Sequence, residues 1–248
     1  MNARPDAILF DLFGTLVFFD DDRLPRMEVG GRSVVMTVRS MPELLRRACP
    51  HASMPLFLTT LQEVGAELAE VKRRAGIEIL THVRFERALL RHGVPEQDAA
   101  DIALRMAREH MDSLFAAVLC PADRVPLLRQ LGRHHRLALL SNFDDGATAR
   151  RILDTHGLTP MLETAVISAD VGLRKPSREI FARTCARMSL APQQCLYVGD
   201  TWREDIEGAT GAGLAAVWVT SEARADPPAL GRIGDANELP RWLELRGW

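Results

Sequence analysis

Apolar residues in this chain come as short unbroken runs near the start and again beyond residue 135, and at helical spacing in between. Ala7-Ile8-Leu9-Phe10, closed by Asp11, is the first run. Four apolar residues bounded this way predict a buried parallel strand, since a helix needs more length. Arg136–Leu140, Ala165–Ser168, Cys195–Val198 and Ala215–Val219 repeat the pattern. Between them the spacing predicts helices over Ala147–His156, Arg178–Met188 and Glu204–Ala212. Strands alternating with helices of roughly ten residues predict a parallel sheet wrapped by helices.

The alternation is interrupted between its first and second strands. Val17-Phe18-Phe19 leads into the acidic run Asp20-Asp21-Asp22, which reads as a solvated loop. Arg26–Val29, Gly30-Gly31 and Arg32–Met36 predict a β-hairpin with a two-glycine turn. Helical spacing then takes over. One helix opens at Pro42-Glu43-Leu44-Leu45, and a longer one over Leu56–Ala75 is expected to bury Leu58, Leu61, Val64, Leu68 and Val71. Phe85, Ala88 and Leu89 mark a third helix, closed at His92-Gly93, where glycine suits the C-cap. A fourth runs from Pro95 to about Ala117, and Val125–Leu131 forms a connecting helix. The expected architecture is α/β. A Rossmann-like parallel-sheet core occupies residues 1–22 and 119–248, and a hairpin flap with a mainly helical cap is inserted over residues 23–118.

Composition narrows the function. At 248 residues there is room for one large domain or for a core with an insertion. A formal net charge of −2 offers no basic face for a nucleic acid. No apolar run reaches the ~18–20 residues that a membrane span needs. Met1-Asn2-Ala3-Arg4-Pro5-Asp6 runs straight into the first strand and leaves no room for a signal peptide, so a cytoplasmic protein is expected. Cys49, Cys120, Cys185 and Cys195 are scattered and show neither zinc-ligand spacing nor a disulfide framework. Of the 31 basic residues only Lys72 and Lys175 are lysines, so a lysine at a chemically meaningful position carries unusual weight.

Three predicted strands end on a polar residue with chemical capability: Asp11, Ser141 and Asp200. Right-handed crossovers bring such ends to one edge of a sheet, where open α/β folds bind their ligands. The loop Gly172-Leu173-Arg174-Lys175-Pro176 presents its lysine just before a helix, and Asp205 lies close enough after Asp200 to return to the strand end. With Asp11-x-Phe13-Gly14-Thr15-Leu16, Ser141-Asn142, Lys175-Pro176 and Gly199-Asp200 with Asp205 in this order, the chain resembles the haloacid dehalogenase-like hydrolases. The resemblance is to the subclass with a helical cap inserted after the first strand. It covers nearly the whole chain, and its motifs are weak singly but specific together.

The resemblance implies an aspartate nucleophile, Asp11, that forms a covalent intermediate later hydrolysed. Ser141, with the backbone amides around Gly14 and Thr15 and with Asn142, is expected to hydrogen-bond an anionic group of a small substrate. Lys175 is expected to steady the negative charge shared by nucleophile and substrate. Asp11, Asp200 and Asp205 would be three carboxylates converging on one pocket, and Mg²⁺ relieves their repulsion while accepting phosphate oxygens. In the resembled family a fourth protein ligand is the main-chain carbonyl two residues after the nucleophile, here that of Phe13.

Phe13 is also the departure from the family pattern. Most phosphatases of the superfamily carry a second aspartate there, which protonates the leaving alkoxide and then activates water. Losing such a group costs about 10²–10⁴-fold. The 2-haloacid dehalogenases tolerate an aromatic residue at this position because a halide leaves unprotonated, but they typically lack the acid that this chain keeps at Asp200. Phosphonoacetaldehyde hydrolases use a cap lysine instead. Lys72 is the only cap lysine here, and beside Arg73 and Arg74 it reads as part of a solvated helix face. The leading expectation is Mg²⁺-dependent phosphoryl hydrolysis. A C–halogen (C–X) hydrolase is the competing reading, and a non-catalytic ligand-binding protein a third. Asp20, Asp21, Asp22 and Glu28 are candidate replacement acids. Arg39, Arg46, Arg47, His82 and Arg84 are candidate anion contacts in the cap, and Trp202 a candidate pocket wall. His134-His135 falls at the far end of a strand and is given no role.

Overall fold

The computed structural model describes residues 4–221 and 229–248. Met1-Asn2-Ala3, on which the expectation of no leader rests, lie outside the described residues. The chain forms two compact units, one of the chain up to Phe18 with Leu119–Trp248 and the other of Phe19–Val118.

In chain order the strands are β1 (Ala7–Phe10), β2 (Phe18–Phe19), β3 (Arg26–Val29), β4 (Arg32–Val35), β5 (Val118–Leu119), β6 (Arg136–Ser141), β7 (Thr164–Ile167), β8 (Cys195–Gly199), β9 (Ala215–Val219) and β10 (Gly231–Ile233). Six of them make one parallel sheet in the order β10-β9-β8-β1-β6-β7. The first strand therefore lies centrally, between β8 and β6, because chain segments added later pair on both of its sides. Every residue of β1 is fully buried, as a strand covered on both faces requires. Alternate residues Ala7 and Leu9 share one face with Leu140, Val166 and Tyr197, and there they pack against Ile180, Phe181 and Cys185. The fold is α/β and Rossmann-like.

The helices are α1 (Met41–Ala48), α2 (Met54–Ala75), α3 (Thr81–Arg91), α4 (Glu96–Ala116), α5 (Arg124–Leu131), α6 (Gly146–Thr155), α7 (Ser168–Val171), α8 (Arg178–Arg187), α9 (Gly208–Gly211) and α10 (Leu239–Glu244). In the inserted unit β3 and β4 form an antiparallel hairpin, and α1 to α4 share one apolar core. The stripe that α2 buries is Phe57, Thr60, Val64 and Leu68, turned from the expected one: Leu58 and Leu61 are only partly buried and Val71 is exposed.

Within the expected core, β10 and α10 are not foreseen, since Gly231-Arg232-Ile233 is too short a run to announce itself. Two other expectations are corrected. Lys72 is not on a solvated face. Gly76, in the left-handed conformation at φ 65°, turns the chain back so that Glu78 meets Lys72 at 2.7 Å, with side chains 2% and 15% exposed. The segment expected as a helix over Glu204–Ala212 instead opens with a π-helical turn, Trp202–Glu207, before α9. Such wide turns recur at functional sites, where they re-aim a side chain.

Candidate active site at the carboxyl edge of the sheet

β8, β1 and β6 lie side by side, so their carboxyl ends present Asp200, Asp11 and Ser141 along one edge. Asp11 continues the strand pairing, its N–H donating to the Val198 carbonyl at 2.9 Å. The π-helical turn returns Asp205 to the same place, where the Thr201 N–H donates to its Oδ2 at 2.8 Å. Ligand oxygens of Asp11, Asp200 and Asp205 lie within 4.8 Å of one another. Two glycines make this convergence possible. A Cβ at Gly14 (φ +79°) would stand 2.2 Å from Asp200 Oδ2, and one at Gly199 would stand 2.4 Å from Asp205 Cγ. No side chain fits at either position.

Lys175 reaches into the cluster and is 1% exposed. Its ammonium has three N–H bonds and three acceptors: Asp205 Oδ1 at 2.6 Å, the Tyr197 hydroxyl at 2.7 Å and Asp11 Oδ1 at 2.8 Å. Burial alone would lower its pKa, but Asp11 and Asp205 outweigh that and hold the ammonium charged. Burial pushes the Asp11 carboxyl up to about 7 against the pull of Lys175, with Asp205 and Asp200 adding to the rise. Burial, then the nearby Asp205, raises Asp200 to about 6. Two negative neighbours and one cation leave the cluster short of positive charge.

Three buried side-chain oxygens at the site have no hydrogen-bond partner: Thr15 Oγ1, Ser141 Oγ and Asp200 Oδ1. Leaving such atoms orphaned costs about 1–3 kcal/mol each, so a ligand that meets them is strongly favoured. The donor set is all oxygen, with an orphaned carboxylate oxygen among three convergent acids, and it fits a hard divalent cation such as Mg²⁺.

Two expected substrate contacts are spent elsewhere. The Gly14 N–H donates to the Val17 carbonyl at 2.8 Å. The Asn142 amide donates to Glu204 Oε2 at 2.8 Å and to the Lys175 carbonyl at 3.0 Å, and its oxygen accepts from the Lys175 N–H at 2.8 Å. Asn142 thus clamps the lysine loop to the end of β6, because a primary amide matches a backbone N–H and C=O pair. Phe13 stacks on Phe143, with ring centroids 4.8 Å apart. Trp202 packs edge-on against Trp218 at 4.9 Å and donates to Glu207 Oε1 at 2.9 Å, a packing role.

Two residues at the site were not singled out from the sequence. The Trp218 indole donates to the Asp200 carbonyl at 2.7 Å and fixes that residue's backbone. Tyr197 is the chain's one tyrosine and is fully buried in β8. Its hydroxyl accepts from Lys175 and lies 2.9 Å from the Leu140 carbonyl and 3.1 Å from Asp205 Oδ1. The signal was present: a hydroxyl in the middle of a buried strand requires partners.

The haloacid dehalogenase-like hydrolase family matches residues 5–213 of the chain. A glyceraldehyde 3-phosphate phosphatase from Methanothermobacter thermautotrophicus is 32% identical over 209 residues, covering 83% of this chain and 85% of that protein. A phosphoserine phosphatase from Thermus thermophilus is 29% identical over 158 residues, but the match spans only 62% of this chain and 61% of that protein. In fold, the chain resembles a 2-haloacid dehalogenase from Pseudomonas syringae pv. tomato DC3000. The TM-score is 0.71 at 21% identity, over 98% of this chain and 100% of that one. Its sequence, its sheet and its four motifs in order agree: the chain belongs to the haloacid dehalogenase-like hydrolase family.

Proposed function

We propose that this chain is a Mg²⁺-dependent hydrolase of small anionic phosphate compounds, with Asp11 as the nucleophile on phosphorus. The observation that carries the reading is Asp200, whose buried Oδ1 has no partner although two further carboxylates stand beside it. Attack on carbon with departure of a halide has no use for a third carboxylate. Three carboxylates with only the Lys175 ammonium among them still repel, and a second cation relieves that repulsion. Asp11, Asp200 and Asp205, with the main-chain carbonyl of Phe13, would hold the ion. Once bound it supplies positive charge to the phosphoryl oxygens of a substrate. The chain's own groups do the rest. Lys175 fixes the Asp11 carboxylate, and Ser141 Oγ and Thr15 Oγ1 are the unpartnered hydroxyls available to the substrate's anionic end. The phosphatase names of the two sequence relatives support the same choice.

The apolar pair of Phe13 and Phe143 favours the second reading, a C–X hydrolase in which Asp11 attacks carbon to form an ester. One experiment separates the two. Phosphate release from a panel of phosphate compounds is measured with Mg²⁺ and with EDTA, beside halide release from 2-haloacids. Phosphate release that needs Mg²⁺ and is lost in Asp11→Asn supports the proposal. Halide release unaffected by EDTA sinks it in favour of the C–X hydrolase. Ligand binding without turnover on either panel, unchanged in Asp11→Asn, points to a non-catalytic binding protein.

A further inference from the structure

We infer that the phosphate compounds this site turns over carry a leaving oxygen that is already a stable anion, an acyl, enol or aryl phosphate, and not the ester of a simple alcohol. The inference rests on the phosphoryl reading above and concerns the other half of the bond being broken. When Asp11 attacks phosphorus, a P–O bond to Asp11 forms and the P–O bond to the leaving group breaks, its electron pair going to the leaving oxygen. An alkoxide needs a proton at that moment. A carboxylate, enolate or phenolate does not.

Among the described residues of the core unit, the acids near the carboxyl edge are already engaged. The position two residues after Asp11 holds Phe13, its ring stacked on Phe143, and an aromatic pair donates no proton. Glu204 is held between Asn142 at 2.8 Å and Arg174 at 3.1 Å. Asp145 caps α6 by accepting from the Thr148 N–H at 2.7 Å. Asp170 is paired with Arg150 at 2.5 Å, and Asp144 has an interaction of its own. Asp205 has both oxygens engaged, by Lys175 and Tyr197 on one side and by the Thr201 N–H on the other. Asp11 and Asp200 are the nucleophile and the neighbouring acid whose Oδ1 has no partner. The apolar pair also suits a planar leaving group, which an aromatic face accepts better than a hydrated alcohol.

In the second half of the reaction the leaving group is the Asp11 carboxylate, which needs no proton. Water attacks phosphorus, the P–O bond to Asp11 breaks, the carboxylate is restored and dihydrogen phosphate departs. Among the described residues of the core unit no positioned base stands ready for that water, so the aspartyl-phosphate is the longer-lived species when the first step is fast.

The test is a leaving-group series. kcat/KM is measured with Mg²⁺ for acetyl phosphate, a set of substituted phenyl phosphates and alkyl phosphates of similar size, on the wild-type chain and on Phe13→Asp. The wild type is expected to lose on the order of a hundredfold or more from the activated to the alkyl compounds. Phe13→Asp is expected to recover most of that loss on the alkyl compounds alone. Equal rates across the wild-type series overturn the inference and leave the phosphoryl reading standing. No phosphate release from any compound overturns that reading and the inference with it. The wild-type series decides the matter even if Phe13→Asp fails to fold.

Discussion

Replacing Tyr197 with phenylalanine removes a single oxygen from the most crowded part of the site and leaves the ring in place against Phe181, 5.3 Å away between centroids. Burial, then Asp205 and Asp11, raises the phenol's pKa well above its usual value, so the hydroxyl keeps its proton. That proton has the Leu140 carbonyl and Asp205 Oδ1 within reach, while the oxygen accepts from Lys175. In the variant one of the three N–H bonds of a fully buried ammonium loses its acceptor. The Leu140 carbonyl also loses the donor that ties β8 to β6. A buried group left unsatisfied costs about 1–3 kcal/mol, and more when it is charged. The expected loss is about 2–4 kcal/mol, which for a chain of this size lowers the melting temperature by roughly 4–16 °C. The two lysines make the cause readable. Protein grown with isotope-labelled lysine gives two side-chain ammonium signals, and Lys72 serves as the internal control. Tyr197→Phe is expected to shift the Lys175 signal and speed its proton exchange while Lys72 stays put. Unchanged stability with an unmoved Lys175 signal would refute the hydrogen-bond argument. A Lys72 signal that moves as far would show general loosening instead.

Without metal, stability is expected to fall as pH rises from about 4.5 to 7.5. Asp11 and Asp200 keep their protons in the fold up to about 7 and about 6, whereas the unfolded chain releases them near 3.8. Millimolar Mg²⁺ should restore melting temperature at pH 7.5, and Asp200→Asn should weaken both effects. Melting curves that ignore Mg²⁺ at every pH would count against a cation among these acids. Gly199→Ala places a Cβ 2.4 Å from Asp205 Cγ, and is expected to abolish Mg²⁺ binding measured by calorimetry and to cost at least about 1–3 kcal/mol in urea denaturation. Far from the site, Arg124 is 1% exposed and holds Asp235 through two bonds at 2.6 and 3.0 Å. Breaking a fully buried pair costs about 3–5 kcal/mol. Asp235 is 44% exposed and water can take over, so Arg124→Met is expected to cost less than that in the same assay.

What was legible in the sequence divides along the range of the interaction. The sheet strands before β10 and the helices of the inserted unit followed from local periodicity, because a strand buried on both faces and a helix with one apolar stripe write themselves into neighbouring residues. The order of the motifs placed Asp11, Ser141, Lys175, Asp200 and Asp205 in relation to one another, and the structure brings these five together. What stayed hidden is what depends on a partner far along the chain. Asn142 reads as a polar group free for substrate, yet it is spent on a loop 33 residues away. Lys72 reads as solvated because Arg73 and Arg74 beside it are, while its partner Glu78 returns only after the turn at Gly76. Tyr197 passes for one more apolar strand residue until Lys175 is beside it.

Phe13 is the case where local and distant signals disagree, and the structure sharpens the disagreement. If the site worked on carbon, Lys175 alone would balance Asp11, and Asp200, whose Oδ1 has no partner, would be an acid with no function, its backbone held by the Trp218 indole and its side chain given room by a glycine at φ +79°. Keeping a half-buried carboxylate with one orphaned, buried oxygen is costly, and two devices that maintain it argue for a use. If the site works on phosphorus, Asp200 has its use, and the missing feature is a proton for the leaving group. That deficit lies on the substrate side of the reaction and is removed by choice of substrate. A superfluous acid at the site is removed by nothing outside the chain. The asymmetry favours phosphoryl chemistry on an activated compound over carbon chemistry with an idle acid.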